Sequence, residues 1–119
     1  MQKRVLIYDD DVEILMVCKV ILENQGYFVE TLMSCEKVIT DIEAFKPHLI
    51  LMDLWIPKSG GEKAINLIRE NSLTNKIPVI LFSANDEIEK ISQRVKANGF
   101  LKKPFDISQF IETIERHIL

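Results

Sequence analysis

The chain has 119 residues, 47% of them hydrophobic and 28% charged, with a formal net charge of -3 at pH 7. That length and apolar content support one core without disulfides or structural metal, so residues 1–119 are expected to form a single domain. The mild acidity offers no broad attraction to DNA, RNA or anionic lipid, so direct nucleic-acid or membrane binding is not expected.

Met1-Gln2-Lys3-Arg4 leads into an apolar run that ends at Asp9, too soon for a signal peptide or a membrane span. That run, Val5-Leu6-Ile7-Tyr8, is rich in strand formers and gives a first strand closed by Asp9-Asp10-Asp11. From residue 12 to 25 the apolar positions Ile14, Leu15, Cys18, Ile21 and Leu22 recur at helical spacing. Gly26 stands where the residue after a helix takes positive φ. Tyr27-Phe28-Val29-Glu30-Thr31 gives a second strand, and Ser34 is the expected N-cap of a second helix bearing Val38, Ile39, Ile42 and Phe45. Pro47 ends it, because the residue before a proline is pushed out of helical geometry. Cys18 and Cys35 fall within these helices without a CxxC or Cys/His cluster, which points to reduced structural thiols and a cytoplasmic protein.

Leu49-Ile50-Leu51-Met52-Asp53 is the most informative stretch: four large apolar residues, then an acid. It reads as a strand buried on both faces that delivers one carboxylate at its C-terminal edge. Ser59-Gly60-Gly61-Glu62 has a capping-box pattern and opens a third helix with Ala64, Ile65 and Ile68 turned inward. Pro78-Val79-Ile80-Leu81-Phe82 is a fourth strand, ended by Ser83-Ala84-Asn85. A second capping-box pattern, Asp86 to Glu89, starts a fourth helix carrying Ile88, Ile91 and Val95. Gly99-Phe100-Leu101-Lys102 is a weaker fifth strand and Lys103-Pro104-Phe105 a turn. Asp106 with Gln109 then caps a last helix bearing Phe110, Ile111, Ile114 and Ile118.

Strict alternation of buried strands and helices implies an α/β fold: a five-stranded parallel sheet, doubly wound, with five helices on its two faces. At this length the flavodoxin-like strand order 2-1-3-4-5 is the economical choice, and it makes the first and third strands neighbours at the switch point. Asp9, Asp10 and Asp53 should then meet in one crevice. Three converging carboxylates repel one another unless a cation intervenes. An all-oxygen donor set without His or Cys favours Mg²⁺, with Mn²⁺ as a substitute, over zinc. Ser83 and Lys103, at the ends of the fourth and fifth strands, add a hydroxyl and an ammonium. Carboxylate, cation, hydroxyl and ammonium together describe a site that accepts a phosphoryl group on Asp53.

The whole chain resembles the receiver domain of bacterial two-component response regulators. Tyr8-Asp9-Asp10-Asp11 resembles that family's acidic cluster, and Met52-Asp53-Leu54-Trp55-Ile56-Pro57 with Gly61 its phosphorylation segment. Phe82-Ser83-Ala84 resembles its Thr/Ser-Ala switch, and Phe100-Leu101-Lys102-Lys103-Pro104-Phe105 its Lys-Pro segment. The resemblance implies Asp53 as phosphoacceptor, with Mg²⁺ held by Asp10, Asp53 and the Trp55 backbone carbonyl and assisted through water by Asp9. It implies that Ser83 and Lys103 contact the phosphoryl group, that Lys103-Pro104 is a cis peptide, and that Phe100 changes rotamer with Ser83. It also implies partners: a sensor histidine kinase or histidine phosphotransfer protein, a downstream protein target, and a phosphorylation-dependent homodimer through helix four, strand five and helix five. Trp55 and Asn85 occupy positions that tune hydrolysis of the acyl phosphate in this family, and Gly60 stands where an Asp often precedes Gly61.

The chain stops soon after its fifth helix, so contact with another protein, rather than DNA binding, is the expected output. A stand-alone regulator and a receiver from a longer regulator or hybrid kinase both fit. Three other readings are weighed against this one. A phosphohydrolase of the haloacid dehalogenase type would need a second Asp where Trp55 stands. A flavin or nucleotide binder on the same fold would want a Gly/Ser/Thr-rich loop where this chain has three acids. A degenerate receiver acting only as an interaction module is opposed by the intact Asp9, Asp10, Asp53, Ser83 and Lys103.

Overall fold

The computed structural model describes residues 2–56 and 60–118. Its elements run β1 (Arg4–Tyr8), α1 (Val12–Asn24), β2 (Phe28–Leu32), α2 (Val38–Phe45), β3 (Leu49–Asp53), α3 (Gly61–Glu70), β4 (Val79–Ser83), α4 (Ile88–Arg94), β5 (Gly99–Lys102) and α5 (Ile107–His117). The strands form one sheet in the order β2-β1-β3-β4-β5, every pair parallel. This is the arrangement expected from the sequence. Every residue of β3 and β4 is buried, which explains their unbroken apolar character: helices cover both faces of the sheet centre.

Alternation along the strands divides the core in two. Leu6, Tyr8, Ile50, Met52 and Leu81 pack with α2, α3 and α4 on one face. Val5, Ile7, Leu49, Leu51, Ile80 and Phe82 pack with α1 and α5 on the other. Successive strand residues point to opposite faces, so each apolar run supplies both cores at once.

Helix ends show where local signals prevail and where they are diverted. Gly26 has φ +93, as its place after α1 requires. Lys46, just before Pro47, closes α2 in the left-handed conformation. Asp106 caps α5 by accepting a hydrogen bond from the Gln109 N–H at 2.7 Å. The same helix buries Phe110 and Ile114, with Thr113 rather than Ile111 completing its inner face.

Three expectations need correction. Ser34 does not cap α2: its Oγ accepts from the Glu36 N–H at 3.2 Å, making a local turn, and the helix starts four residues later at Val38. Cys35 consequently lies in the loop before α2, buried, with its Sγ 3.5 Å from the Gly60 carbonyl. Asp86 does not open a capping box either. Its carboxylate pairs with Lys102 at 2.5 Å, the capping residue of α4 is Glu87, and the Glu87 N–H donates instead to Asn85 Oδ1 at 2.8 Å. The Ser59 half of the other capping box lies outside the described residues; Gly60 stands at the N-cap of α3 with no side-chain bond.

A candidate phosphoryl-transfer site at the C-terminal strand ends

β1 and β3 end side by side, and their terminal acids meet as the switch-point argument requires. One carboxylate oxygen from each of Asp9, Asp10 and Asp53 lies within 4.8 Å of the others. Asp9 and Asp53 are buried and Asp10 is exposed, so the cluster opens to solvent on one side. The β1–α1 turn fixes Asp9. Its Oδ1 accepts from the Asp11 N–H at 2.9 Å, while Asp11 itself caps α1 by accepting from the Glu13 and Ile14 N–H groups.

Lys103 enters from the loop after β5, which carries a cis Lys103-Pro104 bond. Its backbone N–H donates to the Ser83 carbonyl at 2.9 Å, continuing the β4–β5 pairing. Its Nζ reaches Asp9 Oδ2 at 2.8 Å and Asp53 Oδ1 at 3.3 Å. One ammonium therefore bridges two buried acids.

A single cation does not balance three anions. Burial, then the charges of Asp9 and Asp10, push the Asp53 carboxyl up from 3.8 to about 6 even with Lys103 pulling it back. Burial alone would depress the Lys103 ammonium, but the hydrogen bond to Asp9 and the charge of Asp53 outweigh it, and its pKa is raised. A second cation would relieve this excess. The all-oxygen donors, their mutual distances and the open side at Asp10 fit a divalent ion of the Mg²⁺ type, which takes one or two carboxylates and keeps waters.

The other residues singled out from the sequence lie around this cluster. Ser83 is buried at the end of β4, its Oγ accepting from the Asn85 N–H at 3.1 Å. Trp55 stands outside it, 67% exposed, two residues beyond Asp53. Phe100 belongs to β5 and pairs in register with Leu81; it is 39% exposed.

Two residues named within the motifs, Gly61 and Phe82, contribute in ways that the sequence did not assign. Gly61 packs so tightly that a Cβ there would lie 2.0 Å from the Asp53 carbonyl oxygen, and its N–H donates to the Leu54 carbonyl. Phe82 places its ring under Lys103, with Nζ 4.6 Å from the centroid. An aromatic just before Ser83 was the available signal, but only the tertiary packing shows what its face meets.

The sheet order defines a flavodoxin-like α/β domain, with the acidic cluster lying at its switch point. The family follows from comparison: the response regulator receiver domain model matches residues 5–115, and the chain belongs to that family of two-component signalling domains. The transcriptional regulatory protein KdpE of Staphylococcus aureus is 34% identical over 121 residues, covering 98% of this chain and 51% of that protein. The alkaline phosphatase synthesis transcriptional regulatory protein PhoP of Bacillus subtilis is 31% identical over 107 residues, covering 88% of this chain and 44% of that protein. Among solved structures, a CheY-like receiver domain protein from Methanospirillum hungatei superposes with a TM-score of 0.87 at 28% identity, covering 98% of this chain and 93% of that one. The chain spans about half or less of the curated relatives it matches, from 16% to 51% of their lengths. Among the described residues no helix is long and apolar enough to cross a membrane.

Proposed function

We propose that residues 1–119 act as one receiver unit in the cytoplasm, and that Asp53 accepts a phosphoryl group from a phosphohistidine on a sensor kinase or phosphotransfer protein. One observation carries this reading: Lys103 Nζ, held between Asp9 and Asp53 beside Asp10, places an ammonium where a phosphoryl group on Asp53 would carry its charge. An Asp53 oxygen attacks phosphorus, the P–N bond breaks, and its electron pair stays on the imidazole. By the family resemblance Asp10, Asp53 and the Trp55 backbone carbonyl would hold Mg²⁺ directly, and Asp9, whose oxygens accept from the Asp11 N–H and from Lys103, would assist through water. When bound there, Mg²⁺ supplies positive charge against the phosphoryl oxygens. Asp9 orients water and Lys103.

Phosphorylation adds one to two negative charges and new acceptor oxygens at the end of β3. The Ser83 hydroxyl, now engaged with the Asn85 N–H, turns toward them, and the loop that moves with it opens space for Phe100. The surface of α4, β5 and α5 changes by a population shift between two packings, and that surface meets a downstream protein or a second copy. The domain assists its own phosphorylation and dephosphorylation and transforms no other substrate.

Intact mass after incubation with Mg²⁺ and acetyl phosphate tests the assignment. One added phosphoryl group is expected, absent in Asp53→Ala and absent when Mg²⁺ is chelated. Failure to form the adduct, with beryllofluoride also failing to bind, would remove Asp53 as acceptor.

A further inference from the structure

Lys103 has a neighbour besides the two carboxylates. Its Nζ lies over the ring of Phe82, which is fully buried and pairs in register with Asp53 across β3 and β4. The ring is itself held by aromatic contacts. Phe105 meets it edge-on with centroids 6.4 Å apart, and Phe105 in turn stacks on Phe110 of α5 at 5.2 Å. An aromatic face is electron-rich and attracts a cation, most strongly where water is scarce. The Lys103 side chain is only 18% exposed, so that condition holds. An aliphatic residue in this place would fill much of the same core volume and leave the ammonium with the carboxylates alone.

We propose that Phe82 is a positioning residue for phosphoryl transfer: its ring face holds the Lys103 ammonium beside Asp53, and the strength of that hold sets the rate of phosphorylation. The proposal rests on the reading of Asp53 as the acceptor. The lysine stem is flexible, and the carboxylate pull on Nζ changes as charge passes from Asp53 to the phosphoryl oxygens. The pull of the ring does not change with that charge. Phe82 therefore keeps the ammonium in place through the step in which Asp53 ceases to be a free anion.

Replacing Phe82 by 4-fluoro-, 3,5-difluoro- and 3,4,5-trifluorophenylalanine in the full chain drains charge from the ring face with little change in shape. The rate of phosphoryl uptake from acetyl phosphate, read by intact mass at saturating Mg²⁺, should fall stepwise by about three- to tenfold across the series. Urea midpoints should stay level or rise, because the packing is kept. Phe82→Leu should slow uptake as much as the trifluoro ring while Mg²⁺ affinity, followed by Trp55 fluorescence, is retained. A flat rate across the fluorinated series, or a rate that tracks the urea midpoint, would overturn the role of Phe82 while leaving Asp53 as acceptor. Absence of any adduct on the unsubstituted protein would overturn both.

Discussion

Replacing Asp53 by Asn should make the metal-free protein more stable at neutral pH. The Asp53 carboxyl rises from 3.8 to about 6 in the folded chain, chiefly through burial and the charge of Asp9. Its side chain is 6% exposed, so solvent does little to mute the effect. An acid with a raised pKa in the folded state costs nothing below the unfolded value, and its full penalty appears above the folded one. A rise of about two units corresponds to roughly 3 kcal/mol. The amide gives up only a long contact with Lys103, 3.3 Å in the native site, so Asp53→Asn should gain about 1–3 kcal/mol at pH 8 in EDTA. The gain should shrink to nothing near pH 4. Urea unfolding followed by far-ultraviolet circular dichroism at pH 4, 6 and 8 measures it. Saturating Mg²⁺ should reverse the order, since a ligand at one hundred times its Kd stabilises by about 2.7 kcal/mol and the variant lacks one of its carboxylates. A variant no more stable than wild type at pH 8 in EDTA, or a gap independent of pH, would refute the electrostatic account of the site.

Two further predictions concern the rest of the scaffold. Arg69 at the end of α3 donates to the carbonyls of Lys96, Asn75 and Ile77 and to Asn98 Oδ1, tying three segments together, and Arg69→Lys should lose about 1.5–3 kcal/mol in urea unfolding. A loss under about 0.5 kcal/mol would show that lysine meets the same acceptors. His48 Nδ1 accepts from the Arg4 N–H at 3.0 Å, and burial together with Arg4 and Lys3 lowers its pKa below 6.5. The neutral ring is favoured in the folded state, so its contribution is present above pH 6.5 and disappears as pH falls through the lower folded value. The stability advantage of wild type over His48→Gln should therefore narrow between pH 7 and pH 5; a constant gap would contradict this.

The strands were legible because β3 and β4 are buried on both faces and need no alternation to stand out. The strand order followed from strict alternation and chain length. Helix starts were less legible, because a capping residue is read locally while its side chain has other partners to choose from. Asp86 is claimed by Lys102, sixteen positions away, and Ser34 by its own turn. The cap at Asp106 has no such competitor among the described residues and forms as its pattern indicates. The acids were visible as charges abutting apolar runs. Lys103 was visible only as a candidate, since its reach to Asp9 spans 94 positions of chain. Its seat on Phe82 depends on which face of β4 meets the loop after β5, and no local pattern encodes that.

The two adjacent glycines before α3 resist mutational drift for different reasons. Gly60 has open space around its missing Cβ, but its φ +70 and ψ 142 lie outside the left-handed helical region, in extended positive-φ geometry that glycine alone adopts without strain. Gly61 faces the backbone of Asp53 and Leu54, and main-chain atoms cannot swing aside as a side chain can. Every single-base change that turns its codon into another residue adds a Cβ at that contact. A saturation library selected for a folded domain should therefore return glycine alone at 61 and predominantly glycine at 60, where the cost is local strain rather than a clash. The turn next to Asp53 is thus held at one position by backbone conformation and at the next by contact.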